Sequence, residues 1–306
     1  MNYQKITLFL LLAFTLSVLG WYVPGWLMEG DSLFLPFLRL MAYSWGPGLA
    51  ALAVQRGLYG QSMRGYGWNR KYFSLRWIGS AVALPFAVIG GTLGLVYLLG
   101  NLLHLPGFGE IVLGQNWPMW VPHPYPFLGN ETLALPPEIG SLLAVLVLVS
   151  TIGGATVSLA WLSGQELGWR GFMLVETRSL GFLGSNLVIG GLWGLWLFPL
   201  FLFQQQPELI SLGDLFWNLL RVEGYAIALA FPLAWLTIRS RSIYASATFY
   251  GVFANLAPMA LFFTYDLDPR LGSPEGLAGM FVLLLLTFLI IRFDRGMTER
   301  YDEWVF

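Results

Sequence analysis

Gly164-Gln165-Glu166-Leu167-Gly168-Trp169-Arg170-Gly171-Phe172 is a short polar island that closes a long apolar run, Ile139 to Leu162, in which no residue is charged. A run of that length matches a helix crossing a bilayer, which needs about 20 apolar residues. Charged residues at the edge of such a run are costly, so each requires a partner or a purpose. Glu166 and Arg170 stand four apart with the acid on the N-terminal side, so on a helix they share a face and can pair. Two readings follow: the pair pins a helix end, or it belongs to a functional centre.

Outward from this island, the composition decides the class. Of 306 residues, 57% are hydrophobic, 16% aromatic and only 11% charged, where a soluble chain carries about a quarter charged residues. The expectation is an all-α polytopic membrane protein with one transmembrane domain over 1–306. Apolar runs predict eight spans, at about 6–27, 33–55, 76–101, 139–163, 184–204, 216–238, 243–263 and 276–292. Asn218, Arg221 and Glu223 near the start of the sixth run leave its depth open. The net charge of −1 and the absence of a basic tract argue against nucleic acid. With no cysteine there is no disulfide or thiolate site, and the only histidines are His104 and His123. The first apolar run is too long for the core of a cleavable signal peptide. Between Leu102 and Glu138, a stretch rich in Pro, Gly and aromatics (Trp117-Pro118-Met119-Trp120-Val121-Pro122-His123-Pro124) predicts an ordered interfacial loop.

The basic residues orient the eight-span arrangement. Lys5, Arg56, Arg64, Arg70, Lys71, Arg76, Arg170, Arg178, Arg239, Arg241, Arg292, Arg295 and Arg300 all fall on one side. The opposite connections carry Arg270 alone, with Glu29, Asp31, Glu110, Glu131, Glu208, Asp214, Asp266 and Asp268. The positive-inside rule places both termini and the Gln165–Arg170 island in the cytoplasm or at its face; the expected location is a bacterial-type plasma membrane. Arg39 and Arg221, within runs but near their outer ends, are expected to snorkel to the interface.

Gln165-Glu166-x-x-x-Arg170-Gly171-Phe172 resembles the first motif, Glu-Glu-x-x-x-Arg, of the CPBP family of intramembrane proteases, which includes CAAX prenyl endopeptidases, bacteriocin-processing enzymes and Abi-type immunity proteins. Leu192-Trp193-Gly194-Leu195-Trp196-Leu197-Phe198-Pro199 has the texture of the second motif, Phe-x-x-x-His. Residues from Arg241 to Leu256 are similar to the flanks of the third, His-x-x-x-Asn, and Trp45-Gly46-Pro47-Gly48 to the family's early Pro-Gly helix. The resemblance covers about residues 40 to 260 in the right order. It implies a bundle of helices with a cytoplasm-facing intramembrane cavity, in which a Glu activates water beside two His and an Asn, with a metal proposed.

Carried over residue by residue, the first Glu falls on Gln165, the second-motif His on Leu197 and the third-motif His on Gly251; Glu166, Arg170 and Asn255 match. A neutral amide cannot act as a general base, and neither Leu nor Gly can take a proton or bind a metal. Zinc needs three or four converging donors, and these positions offer one carboxylate and one weak amide oxygen. Glu176 is an alternative acid, ten residues from Glu166 and on a different side of a continuous helix. Asn255 either holds the bundle by an interhelical hydrogen bond or contacts substrate. Trp193 and Trp196 are expected to pack in the bundle, and Gly190, Gly191 and Gly251 to allow close helix approach. No cofactor is expected. The leading function is a non-catalytic homologue, a binding or scaffold subunit of a membrane complex. Gln165, Glu166, Asn255 and Trp193 would line a cleft for a lipid, another membrane subunit, or a lipidated or transmembrane peptide. The alternatives are an endopeptidase with an altered centre and, more weakly, a small transporter.

Overall fold

The computed structural model describes residues 1–28, 34–68, 74–112, 120–122, 132–134, 138–204 and 211–304. Its helices are α1 (Tyr3–Leu27), α2 (Leu35–Leu52), α3 (Leu75–Val96), α4 (Ile139–Gly153), α5 (Leu159–Glu166), α6 (Leu174–Thr177), α7 (Gly181–Gln204), α8 (Leu212–Ser240), α9 (Ile243–Ala260), α10 (Pro269–Gly272), α11 (Leu277–Phe293), α12 (Arg295–Glu299) and α13 (Tyr301–Trp304). The predicted apolar runs fall on α1, α2, α3, α4 with α5, α7, α8, α9 and α11. Among the described residues, five helical stretches are long and apolar enough to cross a membrane: Tyr3–Leu27, Leu75–Leu102, Gly140–Leu200, Leu212–Ser240 and Pro269–Phe293. The third is a composite that contains two of the predicted runs.

The outward faces follow from the same chemistry. Leu143, Val147, Leu148 and Ile152 of α4, and Phe281, Leu284, Leu285 and Phe288 of α11, are all exposed. Water would penalise such a belt, whereas hydrocarbon does not, and the protein is an all-α integral membrane protein. Prolines at 24, 47, 85, 199, 232 and 258 sit inside helices, a tolerance typical of membrane helices, where neighbouring groups satisfy the freed carbonyls. Asn2 caps α1 by accepting from the Lys5 N–H, and Ser211 caps α8 by accepting from that of Asp214.

Close approach between helices is built from glycine. A Cβ at Gly48 would fall 2.6 Å from the Gly164 carbonyl oxygen, so α2 lies backbone to backbone on α5 there, while Gly46, two residues earlier, faces the Ser17 backbone of α1. At Gly251 of α9 a Cβ would fall 2.3 Å from the Gly154 carbonyl oxygen. Gly190 likewise faces the Ile227 backbone, but Gly191 faces open space and does not serve the close approach expected of it. α1 packs along α2, α7 along α8, and α9 is enclosed by α3, α4, α5 and α8.

The run from Ile139 to Thr177 is not one regular helix. Gly154–Ser158 and Leu167–Met173 are π-helical, so α winding alternates with wider turns. Such segments often mark functional positions.

Ion pairs tie the bundle at both ends. At one end Lys5 Nζ lies 2.6 Å from Glu176 Oε1, and Arg239 pairs with Asp294, its Nε 2.6 Å from Oδ2. At the other, Arg270 pairs with Asp214 at 2.7 Å and Arg221 with Glu275 at 3.3 Å. Arg221 therefore has an acidic partner, and Arg39 lies over the Trp21 ring at 5.8 Å. Both expected snorkelling residues thus make specific contacts.

Burial raises the Asp294 pKa, but hydrogen bonds from Arg239 and Trp235 outweigh it and hold the carboxyl below the usual range. A depressed folded pKa gives stability that is present above the unfolded value, near 3.9, and lost as pH falls through the folded value. Asp294→Asn is therefore expected to lower Tm at pH 7, with the gap from the parent protein closing below about pH 4. Paired melts across that range check it; a gap independent of pH would contradict the ion pair.

The connection between α3 and α4 departs from a simple interfacial loop. Strand β1 (Phe108–Ile111) lies within it, and so do β2 (Trp120–Pro122) and β3 (Thr132–Ala134), which pair with each other. β1 pairs antiparallel with β4 (Thr264–Leu267), with Phe108 opposite Leu267 and Glu110 opposite Tyr265. Asn101 brackets Ile111, donating to its carbonyl at 3.1 Å and accepting from its N–H at 2.8 Å. Exposed polar backbone needs such partners; β1 finds them on one side in Asn101 and on the other in β4, from the connection after α9. Residues 113–119, His123, Glu29, Asp31, Arg70, Lys71, Glu131 and Glu208 lie outside the described residues.

Candidate functional site

Glu166 closes α5 and Arg170 sits in the π-helical segment that follows it. Arg170 Nη1 donates to Glu166 Oε1 at 3.2 Å, and both side chains are wholly buried. The predicted pair is therefore real, and it lies in the interior of the bundle. The Arg170 guanidinium carbon stands 4.0 Å from the centroid of Trp193 on α7. Away from water such a cation–π contact contributes about 2 kcal/mol. Trp193 in turn meets Tyr250 of α9 edge to face at 5.3 Å. Tyr250 comes within interaction range of Gln165, and Ser246 of Glu166. The island thus joins α5, α7 and α9 around one buried charge pair.

Among the described residues, several polar atoms there find no hydrogen-bond partner: Gln165 Nε2, Glu166 Oε2, Arg170 Nε and Nη2, and Trp193 Nε1. A buried donor or acceptor left unsatisfied costs about 1–3 kcal/mol, so five gathered together form a concentrated unmet hydrogen-bonding demand.

Asn255 is placed elsewhere. Its Nδ2 donates to Ser158 Oγ at 2.8 Å and to the Gly251 carbonyl at 2.7 Å. Ser158 precedes Glu166 by eight residues, about 12 Å of helix rise. The expected common cleft of Gln165, Glu166 and Asn255 is therefore two separate features, the buried pair at Ser246 and a lock between α9 and the Gly154–Ser158 segment. Of the other motif positions, Leu197 is half-buried against the core, and Gly251 is occupied by the crossing of two backbones. Trp193 and Trp196 are both fully buried, and Trp196 Nε1 donates to Ser17 Oγ at 2.8 Å. His104 lines a distinct cavity of about 240 Å³ with Glu110 and Asp266.

Sequence reasoning missed a second buried centre. Lys5, nearly inaccessible, donates to Glu176 at 2.6 Å and to the Tyr66 hydroxyl at 3.3 Å, and lies 5.4 Å from the centroid of Phe172. Burial and the adjacent Glu176 carboxylate push the Tyr66 phenol above its ordinary pKa, which keeps it a hydrogen-bond donor. Glu176, the alternative acid, is thus committed to Lys5, 171 positions away, and no local spacing could have revealed that. Ser246 and Tyr250 were also missed; their only signal was a polar Ser and a Tyr four apart in the apolar run of α9.

Among the described residues, no three His, Cys, Asp or Glu side chains gather as a metal site would require. Compared with known proteins, the chain is matched by no family model and by no curated protein.

Proposed function

We propose that the protein is an eight-span membrane protein of CPBP-like architecture without hydrolytic chemistry, working as a binding or scaffold subunit of a membrane complex. One observation carries this reading. The Glu166–Arg170 pair is wholly buried against Trp193, and the positions where the family resemblance would put the general base and two histidines carry Gln165, Leu197 and Gly251. An arrangement of that kind braces helices and offers no proton acceptor positioned over a substrate. The partner is a membrane helix, a lipid or a lipidated peptide, met along the exposed aromatic and aliphatic faces. Native purification in mild detergent followed by mass spectrometry is the test. A chain that emerges alone and monomeric in several detergents would end the scaffold reading.

A second reading, an endopeptidase with an altered centre, draws on the unpartnered Glu166 Oε2 beside Gln165 Nε2. The two differ in turnover. Purified protein is expected to cleave neither prenylated nor membrane-embedded peptides. Cleavage that disappears in Glu166→Ala would establish the second reading.

The eight spans and their orientation belong to the same proposal. Its support is the sorting of basic residues and the grouping of ion pairs at two opposite ends of the bundle. With no native cysteine, single-Cys variants report cleanly. An impermeant reagent on intact cells is expected to label Pro122→Cys and to spare Gly65→Cys; the reverse pattern would invert the orientation.

A further inference from the structure

At the end of the bundle opposite Lys5, a cavity of about 600 Å³ opens between the start of α8 and the segment from β4 to α11. Its wall carries two guanidiniums, Arg221 and Arg270, and two carboxylates, Asp268 and Glu275, with Asn218 beside them. The cavity does not end there. A second hollow of about 290 Å³ shares Arg221, Asp268 and Arg270 with it, and continues over Trp217 and Leu220 to Leu277 and Met280. A third, of about 510 Å³, shares Leu277 and Met280 with the second and runs on along Leu99, Phe281 and Leu284. Its lining is apolar throughout. The three adjoin through these shared residues, and along the row the lining is charged at one end, amphipathic in the middle and purely apolar at the other.

That gradient has the layout of an amphiphile. We infer that the row is one continuous channel and a site for one zwitterionic phospholipid of the phosphatidylethanolamine type, with its headgroup between Arg221 and Glu275 and an acyl chain along α11. Guanidinium groups bind phosphate oxygens through charge-assisted, often paired hydrogen bonds. The carboxylates of Asp268 and Glu275 match an ammonium group, so a headgroup of both signs answers the lining better than an anion does. The pairs already present do not close the cavity. Arg221 meets Glu275 at 3.3 Å with the acid half exposed, and Arg270 meets Asp214 at 2.7 Å with both side chains about half exposed. A phosphate can therefore join these cations while the acids turn to the ammonium. The apolar half suits a chain that lies in hydrocarbon beside exposed Leu277, Phe281 and Leu284. The inference rests on the chain being an integral membrane protein and is independent of the scaffold reading.

Native mass spectrometry of delipidated full-length protein, mixed with phosphatidylethanolamine or phosphatidylglycerol in mild detergent, tests it. One phosphatidylethanolamine is expected to be retained, with occupancy at least about fivefold above that of phosphatidylglycerol. The double variant Arg221→Gln, Arg270→Gln is expected to lose about tenfold in affinity. Leu277→Trp, which fills the middle of the channel and leaves every charge in place, is expected to lose several-fold as well. It keeps the test decisive should the arginine variant fail to fold. Equal retention of the two lipids would overturn the assignment. So would wild-type retention in Leu277→Trp, or displacement of the lipid by equimolar glycerophosphoethanolamine, which has the headgroup and no chains.

Discussion

Arg170→Met is expected to destabilise the folded protein by about 3–5 kcal/mol, because it leaves the Glu166 carboxylate buried without its counter-charge. Glu166→Gln is expected to fall in the same range, since it strands the guanidinium instead. Both side chains are fully inaccessible, so water cannot take over the lost role. Trp193, at 4.0 Å, compensates only in part, because an aromatic face attracts the cation far less than a carboxylate does. The double variant tells most. If the two residues form one couple, removing both costs clearly less than the sum of the single losses. Thermal melts in one detergent measure all three proteins. Small, additive losses would mean that the charges do not depend on each other.

Gly251 yields the second large effect. Its missing Cβ leaves room for the Gly154 carbonyl oxygen, which would stand 2.3 Å from that atom, and for the Ser158 side chain. Both obstacles are close to backbone, so neither can swing aside as the tip of a long side chain would. Gly251→Ala must push α9 away from the Gly154–Ser158 segment and strain the Asn255 to Ser158 hydrogen bond. Overpacking of this kind costs about 1–3 kcal/mol and sometimes more. Gly191→Ala is the control, because nothing lies within 4 Å of its Cβ and helix propensity favours alanine. A fall in Tm for Gly251→Ala beside an unchanged or raised Tm for Gly191→Ala is the expected outcome; equal behaviour would show that α9 can move freely. The same geometry bears on any attempt to restore a hydrolytic centre through Gln165→Glu, Leu197→His and Gly251→His. An imidazole at 251 requires the helices to part first, so that combination is expected to fail in folding before it can be judged in catalysis.

What the sequence disclosed followed the range of the interactions involved. Helix positions were legible because an apolar run is a local, contiguous signal, and the ends of α1, α7 and α11 agree with their predicted runs within a few residues. The start of α8 is earlier than its apolar run because Ser211 caps it and Asp214 favours its first turn, which hydropathy does not register. Glu166 and Arg170 were legible as a pair because four positions on a helix fix their proximity. Lys5 and Glu176 were not, because their contact depends on how α1 docks on α6 and on the turn holding Tyr66. The separation of Asn255 from Glu166 was hidden for a related reason. Motif order gives sequence along two helices, but only their packing decides which turns meet. β1 and β4 were missed as strands since each is short and its hydrogen-bonding partner is more than 150 positions distant.

The π-helical stretch Leu167–Met173 makes the protein's response to a lost codon specific. A wide turn holds one residue more than the α-helix around it requires. Deleting one residue within it therefore relaxes the winding to α and leaves the helix beyond in phase. Deleting one from the regular winding of Leu159–Glu166 has no such reserve and turns everything downstream by about 100° about the helix axis. Glu176 would then swing away from Lys5, and the start of α7 would be carried with it. The wide turn between the Gln165 island and Glu176 is thus a store of one spare residue on the path to the N-terminal helix. In-frame deletion of one residue within 171–173, which keeps the Glu166–Arg170 spacing, should be far less damaging than deletion of one residue within Leu159–Glu166, and the helix itself would become more regular.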